Sequence, residues 1–299
     1  MLTIGLDVGG TSVKGVLMNE YGDILIYDRI EIVDEVSSWS GAVETLINSF
    51  RDSAMEEISY IGLSAPGLPD KDNRHIVHMP GRLQGIENFS WMNLVKRDVH
   101  VVNDAHAALL AEAYFGAARG LKDVLMITLG TGVGGGILIN GKLHQGKFQR
   151  AGSIADMSLD SESSAISATK IPGSLEDAIG NASVEKRSNG KYLSTLDLVT
   201  AYLAEDKEAT DVWLTSVRKL AVGISSLLNV LGPEAVVIGG GIAQADDALF
   251  KPLQEYVNQY DWQPGGEPTP ILKAYFGEYA GAMGAACFAF RKNDIALMN

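Results

Sequence analysis

The chain has 299 residues, with 24 Lys+Arg against 37 Asp+Glu, for a formal net charge of −13. Hydrophobic residues at 46% and charged residues at 20% supply a large core and exclude intrinsic disorder, while the acidic balance excludes a nucleic-acid binder that works by counterion release from a basic face. The single cysteine excludes intramolecular disulfides and any Cys-rich zinc site, and its apolar setting, GAACFAF, makes Cys287 a buried inert thiol rather than a nucleophile.

Residues 2–8 form a short apolar run that ends in Gly9-Gly10; 12–18 and 24–30 follow, joined by the turn-rich Asn19-Glu20-Tyr21-Gly22-Asp23. Three short strands with tight turns predict an antiparallel meander. A helix is predicted over about 40–55 from the spacing of Val43, Leu46, Ile47 and Phe50, and a strand over 58–64 that breaks at Pro66-Gly67. Residues 68–90 read as loops, 99–102 as a strand, and Asn103-Asp104 as the cap of a helix reaching Tyr114. After a linker at 116–122 the opening scheme returns: strand 124–129, turn Gly130-Thr131-Gly132, strand 133–139 and hairpin turn Asn140-Gly141. Helices at about 193–204 and 208–230, a strand at 235–238 running into Gly239-Gly240-Gly241, and a last helix over 279–291 complete the reading. Two halves with the same opening predict a duplicated α/β architecture, and residues 158–170 read as a mobile low-complexity loop. The opening run is too short for a signal peptide, and the longest apolar stretches, such as 235–241, are too short to span a bilayer. A soluble cytoplasmic protein is the expectation.

Three Gly-rich segments stand at strand ends: 7–11, 129–136 and 238–241. Glycine there lets backbone N–H groups approach an anion with no Cβ in the way. Thr11 and Thr131 add hydroxyl donors, Lys14 adds a cation, and Asp7 is placed to hold hydrated Mg²⁺ through water. None of the three is a Walker A sequence, and any one alone reads as a tight hairpin. Together, with Asp7 and two threonines, they point to phosphate. Asp104 stands at a strand–helix junction, where it reads either as a helix cap or as a general base that takes the proton from a sugar hydroxyl. Asn103 beside it offers a donor and an acceptor to neighbouring hydroxyls.

DVGGTSVK at 7–14, SAPG at 64–67, NDAHAALLAE at 103–112, LGTGVGGGI at 129–137, RAGSIADM at 150–157 and IGGGI at 238–242 together resemble the ROK family of bacterial sugar kinases and repressors, over nearly the whole chain and in the same order. The resemblance implies an α/β, two-domain actin/hexokinase-like (ribonuclease H-like) fold with nucleotide and sugar in an interdomain cleft. It implies an N-terminal domain over 1–117, rejoined by the C-terminal helix 279–299, and a second domain over 118–278. It also implies phosphorylation of a hexose or β-glucoside, at the 6-hydroxyl, by ATP with Mg²⁺. Gly9, Gly10, Thr11 and Lys14 then match a first phosphate turn, Gly130, Thr131 and Gly132 a second, and Gly239, Gly240 and Gly241 the adenosine side. Asp104 matches the catalytic Asp and Asn103 the sugar-binding Asn, with Gly67 as a further sugar contact.

Two stretches depart from the family pattern. In its AGEIGHM motif a sugar-binding Glu becomes Ser153, the second Gly becomes Ala155 and the His becomes Asp156. In its zinc stretch Ser167, Thr169 and Ser174 replace three cysteines, while the closing Glu survives as Glu176. No structural zinc is expected from such a donor set. Ser153 is short and neutral, so sugar contact there is expected to weaken or move. Asp156 reads as a compensating acceptor or a solvated loop carboxylate. Glu176 reads as a sugar ligand or as an ordinary acidic residue in a first helical turn. The run 148–152 and the loop 85–89 resemble zinc-motif-lacking members that act on β-glucosides; N-acetylmannosamine kinase-like members have a similar length.

Two other readings compete with a sugar kinase. One is a catalytically silent sugar-binding protein. The other is a transcriptional regulator, disfavoured because the chain enters its first strand at Leu2 with no room for a helix-turn-helix. The expected partners are sugar and ATP, with no nucleic acid and no membrane, and the expected assembly is a homodimer.

Overall fold

A computed structural model describes all residues except Pro80, 164–168 and 294–299. Ser167, one of the three cysteine-replacing positions, and part of the expected loop therefore lie outside the described residues. In chain order the strands are β1 (Leu2–Val8), β2 (Ser12–Asn19), β3 (Ile24–Glu31), β4 (Ile58–Ala65), β5 (Leu68–Pro69), β6 (Ile76–His78), β7 (His100–Asn103), β8 (Val124–Leu129), β9 (Val133–Ile139), β10 (Lys142–Leu143), β11 (Ala235–Gly239) and β12 (Ile271–Lys273). The α-helices are α1 (Val36–Ser53), α2 (Trp91–Val95), α3 (Asp104–Phe115), α4 (Leu175–Ile179), α5 (Val184–Arg187), α6 (Thr195–Leu203), α7 (Lys207–Leu231), α8 (Asp247–Tyr260) and α9 (Ala280–Lys292).

The chain divides into two compact units: Met1–Gly120 with Lys142–Ala151 and the chain from Tyr275 onward, and Leu121–Gly141 with Gly152–Ala274. Residues 142–151 thus cluster with the first unit, although the sequence reading assigned them to the second domain.

In the first unit the strand order is β3-β2-β1-β4-β7. The meander β1–β2–β3 is antiparallel, and β4 and β7 add in parallel. Helix α1 covers one face because Trp39, Val43, Leu46, Ile47 and Phe50 recur at helical spacing and are all buried. Helix α9 covers the other face through small residues. A Cβ on Gly5 of β1 would overlap the Ala282 carbonyl, one on Gly62 of β4 the Ala285 carbonyl, and one on Gly284 of α9 the Ala107 carbonyl of α3. Backbone therefore lies directly on backbone at all three places. Cys287 is buried in α9, and burial pushes its thiol pKa up, as an inert thiol requires.

The return to α9 is fixed by Glu112 of α3, which is fully buried. Its Oε1 accepts from the Tyr275 and Phe276 N–H groups, both at 2.9 Å, and its Oε2 from the Ala117 N–H at 2.8 Å. Three bonds from backbone N–H groups satisfy a carboxylate that has no ion-pair partner among the described residues.

The second unit repeats the plan: β9 antiparallel to β8, then β11 and β12 parallel, in the order β9-β8-β11-β12. Its core joins Leu125, Ile127 and Leu129 of β8 to Trp213, Val217, Leu220 and Ile224 of α7 and to Leu249 and Leu253 of α8. Asp206 caps α7, accepting from the Ala209 N–H at 2.8 Å, and Gly232 ends it in the left-handed region. By length and composition α7 is apolar enough to cross a membrane, contrary to the sequence reading. Its buried stripe packs into this core.

Gly62→Ala is expected to destabilise the protein by about 3 kcal/mol, because the methyl meets a backbone carbonyl that cannot step aside. A urea midpoint equal to wild type would show that α9 can shift.

Candidate active site

The first unit gathers its polar residues at the C-terminal ends of its parallel strands. Strand register sets Asp7 on β1 opposite Lys14 on β2 and Ser64 on β4, and Ala65 opposite Asn103 at the end of β7. Ser64 Oγ donates to Asp7 Oδ1 at 2.6 Å, a contact the sequence did not reveal. Burial pushes the Asp7 carboxyl up from the ordinary 3.8 to about 6; the Ser64 bond and Lys14 pull it down, and the charge of Asp104 pushes it up. Burial also raises Asp104, against the bonds it accepts from the Ala105 N–H and from Asn103 and against the Arg82 charge.

The two readings of Asp104 separate in the structure. Asn103 is the N-cap of α3, its Oδ1 accepting from the Ala105 N–H at 3.0 Å and the His106 N–H at 3.2 Å. Asp104 is the first helical residue. Asn103 Nδ2 donates to the Gly67 carbonyl at 3.0 Å, so the cap also holds the 64–67 turn. Two further bonds tie in 142–151. His106 Nε2 pairs with the Ala151 carbonyl at 2.7 Å, and Gln149 Nε2 donates to the Asp70 carbonyl at 3.2 Å.

Lys14, expected as a phosphate cation, is already paired. Its Nζ lies 3.1 Å from Glu278 Oε2 and donates to the Glu278 carbonyl at 3.2 Å, and Arg29 NH1 reaches the same Oε2 at 3.1 Å. Glu278 is distant in sequence, so nothing in the opening motif could have signalled it.

The second unit holds the other turns. A cavity of about 440 Å³ is lined by Gly130, Thr131, Gly241, Ile242 and Gln244 together with Leu196, Val199 and Leu203 of α6. Leu196 and Leu203 are mostly solvent-exposed, which marks an apolar wall open to solvent. The apolar spacing 196, 199, 203 is the sequence signal for this wall. Gly239 and Gly240 serve packing: a Cβ at 239 would crowd Met126, and Gly240 is left-handed and lies against the Leu129 carbonyl. Gly9 closes its own turn, donating to the Ser12 carbonyl at 3.0 Å, and the Thr11 carbonyl accepts from the Ile32 N–H at 2.9 Å. Gly10, Gly41, Gly130 and Gly241 lie outside the left-handed region and have open space where a Cβ would stand. Three of those four stand in the Gly-rich turns. Internal packing does not demand glycine there, whereas a ligand's close approach does.

The remaining sugar candidates belong to the second unit. Ser153 is exposed and precedes a short 3₁₀ turn, Ile154–Asp156. Asp156 Oδ1 accepts from Thr169 Oγ1 at 2.5 Å, so it is engaged within its loop rather than solvated. Ser174 caps α4 by accepting from the Asp177 N–H at 3.1 Å. Ser158 Oγ donates to the Pro172 carbonyl at 2.7 Å and the Leu159 N–H to the Gly173 carbonyl at 2.8 Å. Hydrogen bonds thus close this segment. Among the described residues no group of three or more His, Cys, Asp or Glu is placed to hold a metal ion. Glu176 Oε2 accepts from the Val133 N–H at 3.0 Å, beside Gly132.

The ROK family profile matches residues 3–292. A glucokinase of Halalkalibacterium halodurans is 30% identical over 94% of this chain and 92% of its own. A ROK hexokinase from Thermus thermophilus superposes with a TM-score of 0.88 at 26% identity, covering 98% of this chain and 99% of that one. A ROK glucokinase from Streptomyces griseus, solved with glucose and AMPPNP, superposes with a TM-score of 0.80 at 25% identity over 97% and 100%. The fold is the two-domain actin/hexokinase-like one, and the chain belongs to the ROK family, as one of its carbohydrate kinases.

Proposed function

We propose that this carbohydrate kinase transfers the γ-phosphoryl group of ATP to the 6-hydroxyl of a hexose or hexose glycoside, with Asp104 as general base. One observation carries the reading: Asp104 is a half-buried carboxylate at the junction of β7 and α3, beside Asn103, which is the N-cap of the helix. Its raised pKa brings the base closer to the working pH, where proton transfer is most efficient. A primary hydroxyl is the least hindered sugar nucleophile, and its proton passes to Asp104 as the new bond to phosphorus forms. Asn103 and Gly67, locked to each other, are the fixed groups beside it. The glucose and AMPPNP held by the Streptomyces griseus relative support the two substrate classes.

The nucleotide is assigned to the second unit. Its base would lie against Leu196, Val199 and Leu203, and its phosphates at Gly130 and Thr131. The residues present fit a hydrated Mg²⁺ rather than a protein cage, which takes more carboxylates than stand here. Asp7 is held ionised only at the expense of burial and of repulsion from Asp104, a local excess of negative charge that a cation relieves. Asp7 would hold the ion through water. Magnesium, when bound, neutralises charge developing on the phosphates.

An assay with ATP and a panel of glucose, mannose, fructose, N-acetylmannosamine, cellobiose and aryl β-glucosides tests the reading. No turnover on any of them overturns it. Asp104→Asn is expected to lower kcat by about 10²- to 10⁴-fold on the best sugar; near-full activity would remove Asp104 from the mechanism.

Burial is the main cause of the raised Asp7 carboxyl, and the charge of Asp104 adds to it. With Asp7 ionising at about 6, kcat/KM for the nucleotide falls as pH drops through that value. Asp7→Asn removes that ionisation and with it the acidic limb near 6. A limb that stays in place in this variant contradicts the assignment.

Gly130→Ala is expected to melt within about 1 kcal/mol of wild type, since its Cβ meets nothing, yet to raise the nucleotide KM. An unchanged KM would free that turn from phosphate.

A further inference from the structure

The second unit holds another cavity, of about 390 Å³, bounded by α4, by Arg187 at the end of α5 and by one face of α7. No described residue lines both this cavity and the one at Gly130 and Thr131. Its volume falls within the range of about 300–1,000 Å³ typical of small-molecule sites.

Two opposite charges line it without meeting. The partly buried Arg187 spends three N–H groups on neutral oxygens: Nε donates to Ser183 Oγ at 3.1 Å, Nη2 to the Gly180 carbonyl at 3.0 Å, and Nη1 to Ser216 Oγ. The other two guanidinium N–H groups are left over. Burial pulls the Arg187 pKa down to about 10, against the attraction of the Asp177 charge. That attraction acts at a distance, since no ion pair joins Asp177 to Arg187 or to another cation among the described residues. Asp177 Oδ2 is shut off from solvent and accepts no hydrogen bond. A carboxylate in that state gains from any donor brought beside it. The terminal torsion of Asp is broad, so rotation about it presents either oxygen to the cavity.

Helix α7 supplies the rim. Asp211, Thr215 and Lys219 recur at every fourth position, share one face and are exposed. Asp211 and Lys219 have no ion-pair partner among the described residues. The cavity thus carries two cations and two carboxylates, which cancel, and offers no net charge to a phosphate or another simple ion. A hydroxyl, in contrast, is both donor and acceptor. Placed between Asp177 and Arg187, it donates to the carboxylate and accepts from the guanidinium, and both bonds are charge-assisted. Further hydroxyls meet Asp211 and Lys219 at the rim in the same way, while Ala178 and Val212 give carbon atoms an apolar wall. An amino acid would bring full charges that must first shed their water; a polyol brings none.

We propose that this cavity is a binding site for a neutral polyol of hexose size. None of the side chains that carry it belongs to the sugar or nucleotide set described above, and the proposal stands apart from the kinase reading.

The test titrates the full chain calorimetrically with glucose, mannose and inositol, in wild type, Asp177→Ala and Thr215→Trp. Inositol has no primary hydroxyl, so it is not an acceptor in the transfer proposed above. Thr215 is exposed at the rim, where an indole covers the mouth and leaves the charges unchanged. Thermal melting shows whether each variant is folded; should Asp177→Ala fail to fold, Thr215→Trp decides. At least one of the three polyols is expected to bind wild type with a component that weakens about tenfold or more in each folded variant, as loss of a charge-assisted bond requires. No polyol binding by wild type overturns the proposal and leaves the cavity to water. Polyol binding that either folded variant leaves unchanged also overturns it. Glycine and inorganic phosphate serve as charged probes, and binding of either one with this sensitivity, in place of a polyol, overturns the ligand class.

Discussion

A helix can touch the backbone of a β-sheet only where the intervening side chains are missing. Gly5, Gly62 and Gly284 create that condition, and α9 lies on β1, β4 and α3 because of them. The polar residues of the first unit follow from this contact. With α9 seated, Gly281 at its start stands against the Asp7 carboxyl, where a Cβ would crowd it. The close-packed face removes water from Asp7, and loss of water is the largest cause of its raised pKa. The same few ångströms thus fix the architecture and the electrostatics.

Register carries that constraint across the sheet. Asp7, Ser64 and Asn103 lie on three successive parallel strands, all near their C-terminal ends, the end at which open α/β sheets bind ligands. The second unit reaches a similar result with different parts. Its Gly-rich turn joins β8 to β9 and is shaped by a short helical segment far along the chain. An acidic residue stands in each unit beside a Gly-rich turn: Asp7 just before Gly9-Gly10, and Glu176, whose Oε2 accepts from the Val133 N–H beside Gly132.

Much of this was legible in the sequence. The apolar runs punctuated by Gly9-Gly10, by Pro66-Gly67 and by Asn140-Gly141 gave the strands nearly to the residue, because turn chemistry is local. Helix α8 went unread: Pro252 interrupts its pattern, although Leu249, Leu253 and Val257 keep helical spacing. The short helices between 147 and 187 are three to five residues each, too short for an amphipathic period to show in the sequence. Side-chain partners were the least accessible. Glu278 on Lys14, Ser64 on Asp7 and Val133 on Glu176 join residues far apart in the chain, and pairings of that kind leave no trace in local spacing.

The buried carboxylate of Glu112 has a consequence for synthesis of the protein. It fastens residues 275–276 to α3 and so delivers the last helix to a sheet whose strands leave the ribosome first. Until that helix emerges, the face of β1 and β4 lined by Gly5 and Gly62 has no cover, while the intervening unit can assemble around its own core. The nascent chain must therefore carry an unclosed apolar surface through most of translation, a period during which aggregation competes with maturation.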